Sequence, residues 1–232
     1  MEEPRNVINT QVGLNRFLTK MYGWMAAAVA FSGIISFMGA TVWRPQYITF
    51  MNNRLAYWLI FGGLFLFSMF GQRSALQNPM TGFLMLFGFA GFFGFSLSAI
   101  FLVYSAATIA GAFFAATVTF VVMALIGLTT KRDLSKMGTQ LLAALIGMIV
   151  VSFINMLFIH SSAVVFVFSI IGILVFAGLS MYNTAQMKNM YLSYGDQVSE
   201  TGLALQGAFS LYLDFINLFQ YFLMIFGWGS RD

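Results

Sequence analysis

The side chain with the most chemistry to offer is Asp214, which sits midway along 203–228, a tract holding no other Asp, Glu, Lys or Arg. An ionisable group at bilayer depth costs a few kcal/mol or more, so it normally faces a bundle interior and serves an ion path, a proton relay or a gate. At 100° per residue, Gln206, Ser210, Asp214, Asn217 and Tyr221 fall within about 80° of one another, a polar stripe along most of that tract. Lipid cannot satisfy such a stripe, so the helix that carries it is expected at the centre of a bundle. Desolvation disfavours the charged form of a carboxyl, which would make a gate of this kind responsive to pH. The polar residues available to meet Asp214 are Asn183, Thr184 and Gln186 just past the tract 163–182, Asn155 in 139–159, and Ser96 and Ser98 in 80–103. The structural alternative is a hydrogen-bonded tie between helices, with the carboxyl protonated or paired to a polar side chain.

Little other reactive chemistry is present. The chain has no cysteine and one histidine, which excludes disulfides, thiol nucleophiles, Cys-based zinc or iron–sulfur sites and His pairs at metal-ligand spacing. His160, beside Ser161 and Ser162, reads as a boundary residue, with an influence of external pH as the alternative. Gly195-Asp196 matches part of the Gly-x-Gly-Asp pattern of intramembrane aspartyl proteases but lies in a polar loop. That chemistry needs two membrane-embedded aspartates on different helices, and only one exists. No Gly-x-Ser-Gly turn accompanies the histidine, so a rhomboid-type Ser–His pair fails too. The expectation is a protein that is not an enzyme and holds no resident cofactor.

The elements that position Asp214 follow from composition. Hydrophobic residues make up 60% of the 232 and charged residues 8%, against about 45–50% and about 25% in soluble domains. So few charges cannot clothe a soluble domain. Breaking the chain at charges, prolines and polar clusters gives seven tracts, 21–42, 55–70, 80–103, 106–128, 139–159, 163–182 and 203–228, the second of them short. They lack the period of two that a barrel requires. The expected fold is an all-α integral membrane protein of seven transmembrane helices, 21–228, with the last helix central. The partners are then the lipid bilayer and other membrane proteins. Nucleic acid is excluded, because the net charge of +4 is scattered over short loops.

Arg5, Arg16, Lys20, Arg73, Lys131, Arg132, Lys136 and Lys188 fall on one side of the membrane, and Arg44, Arg54 and Arg231 on the other. This bias places residues 1–20 in the cytoplasm and the tail 229–232 outside. Val7, Ile8, Val12, Leu14, Phe17 and Leu18 suit a short interfacial helix, with a plain flexible tail as the alternative. Small residues allow close helix approach in lipid. The rows Ala107-Gly111-Ala115-Thr119 and Gly88-Gly91-Gly94, with Ala143 and Gly147, are therefore expected contact faces, within one bundle or at a dimer seam. The oligomeric state stays open.

Two segments carry a resemblance. Gly127-Leu-Thr-Thr-Lys-Arg-Asp-Leu-Ser-Lys-Met-Gly138, with Thr130, Lys131, Arg132 and Asp133 at its heart, resembles a loop of the Bax inhibitor-1 family in its bacterial branch. So does Leu211-Tyr-Leu-Asp-Phe-Ile-Asn-Leu-Phe219, and Asn78-Pro79 and Gly178-Leu-Ser-Met-Tyr-Asn-Thr-Ala-Gln186 fall at the family's usual places. The resemblance runs over nearly the whole chain from the first span and implies the plasma membrane of a bacterium. It implies a seven-helix bundle whose last helix is surrounded by the other six. It also implies a pH-sensitive Ca²⁺ leak, in which aspartates on the sixth and seventh helices share a proton and latch a closed pore. The seventh-helix aspartate falls at Asp214, whereas the sixth-helix partner falls at Asn183, where the family pattern has Tyr-Asp-Thr. A glutamate frequent in the family's second helix is also missing from Ile60-Phe-Gly-Gly-Leu64.

These departures have physical consequences. Two close carboxylates cannot both ionise cheaply, so such a dyad opens as it loses its shared proton. An Asn–Asp pair keeps a hydrogen bond but loses that repulsion, and Ca²⁺ loses oxygen charge at Asp214. The expectation is a pH-modulated Ca²⁺ or cation leak gated at Asp214 and Asn183. Asn217, Ser210 and Gln206 lie along the path, the acidic pair is weakened, and Ca²⁺ is the transported ion. The alternative is a non-conducting regulator that binds other membrane proteins, such as membrane proteases or secretion components. A coupled transporter ranks third, because no broken-helix pair is visible.

Overall fold

The computed structural model of the chain describes residues 3–53, 55, 62, 78–194 and 198–228. The expected second span, 55–70, lies outside the described residues but for two isolated positions. The described elements are α1 (Glu3–Thr41), α2 (Arg44–Met51), α3 (Pro79–Ser96), α4 (Ser98–Val103), α5 (Ala106–Thr129), α6 (Ser135–Ile154), a π-helical turn (Asn155–Ile159), α7 (Ser162–Tyr194) and α8 (Glu200–Trp228). No strand occurs among the described residues. Six stretches, Gln11–Thr41, Pro79–Val103, Ala106–Thr129, Ser135–Ile159, Ser162–Tyr194 and Glu200–Trp228, are long and apolar enough to cross a membrane. The all-α integral membrane fold expected from the sequence is the fold observed.

Local chemistry sets the helix ends. Asn78 caps α3, its Oδ1 accepting from the Met80 amide at 2.9 Å with Pro79 in the first turn. Ser105 caps α5 in the same way, accepting from the Thr108 amide at 3.1 Å, so the break expected between 80–103 and 106–128 is a real helix start. Three expectations need correcting. α1 is one helix from Glu3 to Thr41 rather than a flexible tail or separate interfacial helix, because no proline falls between Pro4 and Pro45 to stop it. The third span breaks at Leu97 into α3 and α4. The sixth helix runs on to Tyr194, because Asn183, Thr184, Gln186 and Lys188 are tolerated inside a helix; Asn183 therefore sits within α7, not at its end.

The chain forms two compact units, Met1–Val103 with Met187–Tyr212, and Tyr104–Gln186 with Leu213–Asp232. In the first, α1 lies so close to α3 that a Cβ on Gly94 would stand 2.5 Å from the Ser32 carbonyl oxygen. The first half of α8 adds Phe209 and Tyr212, whose rings meet Phe89 at 5.2 and 6.0 Å. Lys20 on α1 pairs with Glu200 at 2.5 Å.

In the second unit, α5 packs through Ala112, Ala116, Phe120, Ala124 and Gly127. The expected row Ala107-Gly111-Ala115-Thr119 only flanks this face, and Ala107 is exposed. Both rows carry small residues, the packed one interrupted by Phe120, but only at Gly127 does the Met181 carbonyl oxygen of α7 fill the space a Cβ would need, which fixes the rotation of α5. Gly147 has nothing within 4 Å of its Cβ position. Ala143 and Gly88 are exposed, so these three are not contact residues among the described residues. Half of the apolar stretch of α8 is buried, against 11% of the one in Ser135–Ile159. α8 is the most enclosed of the six spans, although along its polar stripe only Asp214 is buried, and Gln206, Ser210, Asn217 and Tyr221 are half-buried among the described residues.

Candidate functional site

The second unit brings Asn183 of α7 to Asp214 of α8. The Asn183 amide Nδ2 donates to Asp214 Oδ2 at 2.7 Å. Asp214 is 3% exposed, so its carboxyl meets protein and not solvent. Next to it in sequence, the buried Phe215 meets Phe113 and Phe120 edge-on at 5.5 and 5.9 Å, and the Asn183 amide is the described hydrogen-bond partner of the Asp214 carboxyl. A short bond from a neutral donor in dry surroundings is strongest when the acceptor carries charge. This pair is thus a tie between two helices and, at the same place, a group able to take up or release a proton.

The other expected partners go elsewhere. Thr184 is buried against Gly127, and Gln186 is exposed. Asn155 closes on its own reversal, accepting from the Ser161 amide at 3.0 Å and donating to the Ser161 carbonyl at 3.3 Å. Ser98 lies buried beside Gly39 in the first unit, and the Ser96 carbonyl accepts from the Tyr47 hydroxyl at 3.4 Å. Asn217 shares the face of Asp214, but its Nδ2 donates to its own helix at Leu213 O, 2.7 Å away. Gln206 and Ser210 belong to the first unit, where Ser210 Oγ donates to Gln206 O at 3.3 Å. Gln206 Oε1 is buried without a hydrogen-bond partner among the described residues.

The loop motif builds a turn. Thr130 Oγ1 accepts from the Arg132 amide at 3.3 Å. Asp133 Oδ1 accepts from Ser135 Oγ at 2.6 Å and from the Ser135 amide at 2.9 Å, where α6 begins. These bonds, the hydroxyl first, hold the Asp133 carboxyl below the usual carboxylate range. Lys131 and Arg132 are exposed on the same loop.

No group of three or more His, Cys, Asp or Glu side chains converges among the described residues. Ca²⁺ takes six to eight oxygens, several of them charged, and the described residues around Asp214 do not assemble such a set. Sequence reasoning missed Tyr212, whose side chain is fully buried with its hydroxyl facing Ser32 of α1. Its only signal was its place beside the stripe.

Comparison with known proteins gives a consistent picture. Residues 14–231 match a family described as "Inhibitor of apoptosis-promoting Bax1". The inner membrane protein YbhL of Escherichia coli strain K12 is 33% identical over 224 residues, 96% of this chain and 95% of that protein. An uncharacterized protein of Rickettsia prowazekii is 36% identical over 220 residues, 95% of this chain and 92% of its own length. An uncharacterized membrane protein of Streptococcus pyogenes serotype M3 is 36% identical over 228 residues, 96% of this chain and 97% of its own length.

Proposed function

The chain belongs to the Bax inhibitor-1 family, and from that premise we propose that it is a pH-modulated cation leak gated at Asp214, with Ca²⁺ passing as cargo. The observation that carries the reading is the buried 2.7 Å bond from Asn183 to Asp214, a proton-binding group spent on holding two helices together. An ionisable side chain at that depth is costly and is normally retained for conduction or gating. In an acidic dyad, loss of the shared proton leaves two charges that repel. Here loss of the proton leaves one charge facing a donor, so the tie persists and the pH response is shallow. With one carboxylate instead of two, preference for Ca²⁺ over other cations is weak. The Lys and Arg bias supports an amino terminus in the cytoplasm of a bacterium and a carboxy terminus outside.

A second reading draws on the same residue. Because Asn183 removes the repulsion that would open a dyad, the protein could serve as a non-conducting regulator that binds other membrane proteins. Neither reading involves catalysis. Ca²⁺ flux into proteoliposomes separates them. The leak reading expects flux in the unmodified protein that Asp214→Asn abolishes. Absence of flux, together with a stable membrane-protein partner in a pulldown, favours the regulator.

A further inference from the structure

At the end of the second unit farthest along α6 from the Lys131–Asp133 loop, an open cleft of about 520 Å³ lies between the last turns of α6, the start of α7 and the last part of α8. Its mouth is the reversal at His160, held in the left-handed region at φ 51°, with Ser161 and Ser162 beside it. The reversal is rigid, because Asn155 binds both the amide and the carbonyl of Ser161. Ser152 adds a hydroxyl to a wall that is mostly apolar, Ser169 turns its own hydroxyl to the Val165 carbonyl at 2.7 Å, and Tyr221 lines the cleft from α8.

Tyr221 connects this cleft to the site already described. It follows Asp214 by seven residues on the same face of a continuous helix, so cleft and carboxyl are about 10 Å apart along α8, with Asn217 between them. The Tyr221 ring lies against Gly172 of α7, where a Cβ would fall 2.6 Å from ring carbons, and meets Phe176 at 5.8 Å. The ring, seated where only glycine fits, stands on α8 between the cleft and the buried carboxyl.

We infer that this cleft is the entry vestibule for the cation and that the Tyr221 ring, seated on Gly172, is the constriction between the vestibule and Asp214. The inference rests on the leak reading. The cleft's few polar groups, the His160 ring and the hydroxyls of Ser152, Ser161 and Ser162, interrupt a mostly apolar wall that carries no Asp or Glu, so a hydrated cation meets dipoles in transit and no carboxylate that would hold it.

The absence of cysteine makes the test direct. Ser162→Cys and Val164→Cys line the cleft, and Leu174→Cys, 68% exposed on an apolar surface, is the lipid-facing control. A charged thiol reagent applied to both faces of proteoliposomes should label the first two and not the third, and Ca²⁺ flux through the labelled proteins should fall about tenfold. Tyr221→Ala should raise flux about tenfold, the effect of taking about 1.4 kcal/mol off a barrier, while Tyr221→Phe, which keeps the ring, should leave it unchanged. Flux that persists after complete labelling, or that is unmoved by Tyr221→Ala, overturns the vestibule and leaves the leak standing. No flux in the unmodified protein overturns both.

Discussion

Replacing Asn183 with Ala removes the one described hydrogen bond to a carboxyl that is 3% exposed, and the size of the loss reports the charge on Asp214. At 2.7 Å the bond lies at the short end of the charge-assisted range. Hydrogen bonds to charged groups are worth about 1.5–3 kcal/mol. Neutral side-chain bonds between transmembrane helices average about 0.6 kcal/mol and reach about 1.7. The coupling energy between Asn183→Ala and Asp214→Ala should therefore lie near 0.6 kcal/mol where Asp214 is protonated and rise to about 1.5–3 kcal/mol where it is ionised. A double-mutant cycle read by detergent-driven unfolding in mixed micelles, repeated across pH, measures it. The sign is fixed by chemistry, since an amide N–H favours an anionic acceptor. A coupling that stays flat with pH would refute the view that Asp214 changes charge in this setting. A coupling near zero throughout would refute the bond.

Other consequences can be checked on the same preparations. Gly127→Ala drives a Cβ into the Met181 carbonyl oxygen, backbone that cannot swing aside, so it should destabilise by about 1–3 kcal/mol, whereas Gly147→Ala, with open space around it, should stay within about 0.5 kcal/mol of the unmodified protein in thermal melts. The Lys20–Glu200 pair joins part-exposed side chains, so Glu200→Gln should cost no more than about 1 kcal/mol and less in high salt, as unfolding at two ionic strengths will read. Asp133 is held low by Ser135, so whatever its turn adds to the start of α6 is complete above the ordinary carboxylate range and is lost as pH falls through the lowered value. Ser135→Ala should return the Asp133 titration, followed by NMR, toward that ordinary range.

Much of the fold was legible because lipid imposes simple rules. Tract length and the absence of charge set helices whose ends the structure reproduces closely for α5 and α8. Asp214 was legible for the same reason, since one charge in an apolar tract must be answered, whereas the residues alone left six polar candidates open and only the family resemblance singled out Asn183. What failed was anything decided by rotation or by a neighbour. Two rows rich in small residues compete on α5, and only the Met181 carbonyl selects the one that ends at Gly127. The polar letters after residue 182 looked like a helix end, but a helix leaving the membrane keeps its backbone bonds in water, so α7 continues to Tyr194. Asn155 looked available to Asp214 until the π-helical turn carried it to Ser161. The seat of Tyr221 on Gly172 pairs residues about fifty positions apart and has no local signature.

The central claim is that Asn183 in place of a carboxylate keeps the Asp214 tie while blunting its response to pH. Ca²⁺ flux into proteoliposomes, measured across pH for the unmodified chain and for Asn183→Asp, tests it most directly. The account predicts a shallow profile for the unmodified protein, and for the variant a steeper one that opens as pH rises, with stronger preference for Ca²⁺. Superimposable profiles would contradict it.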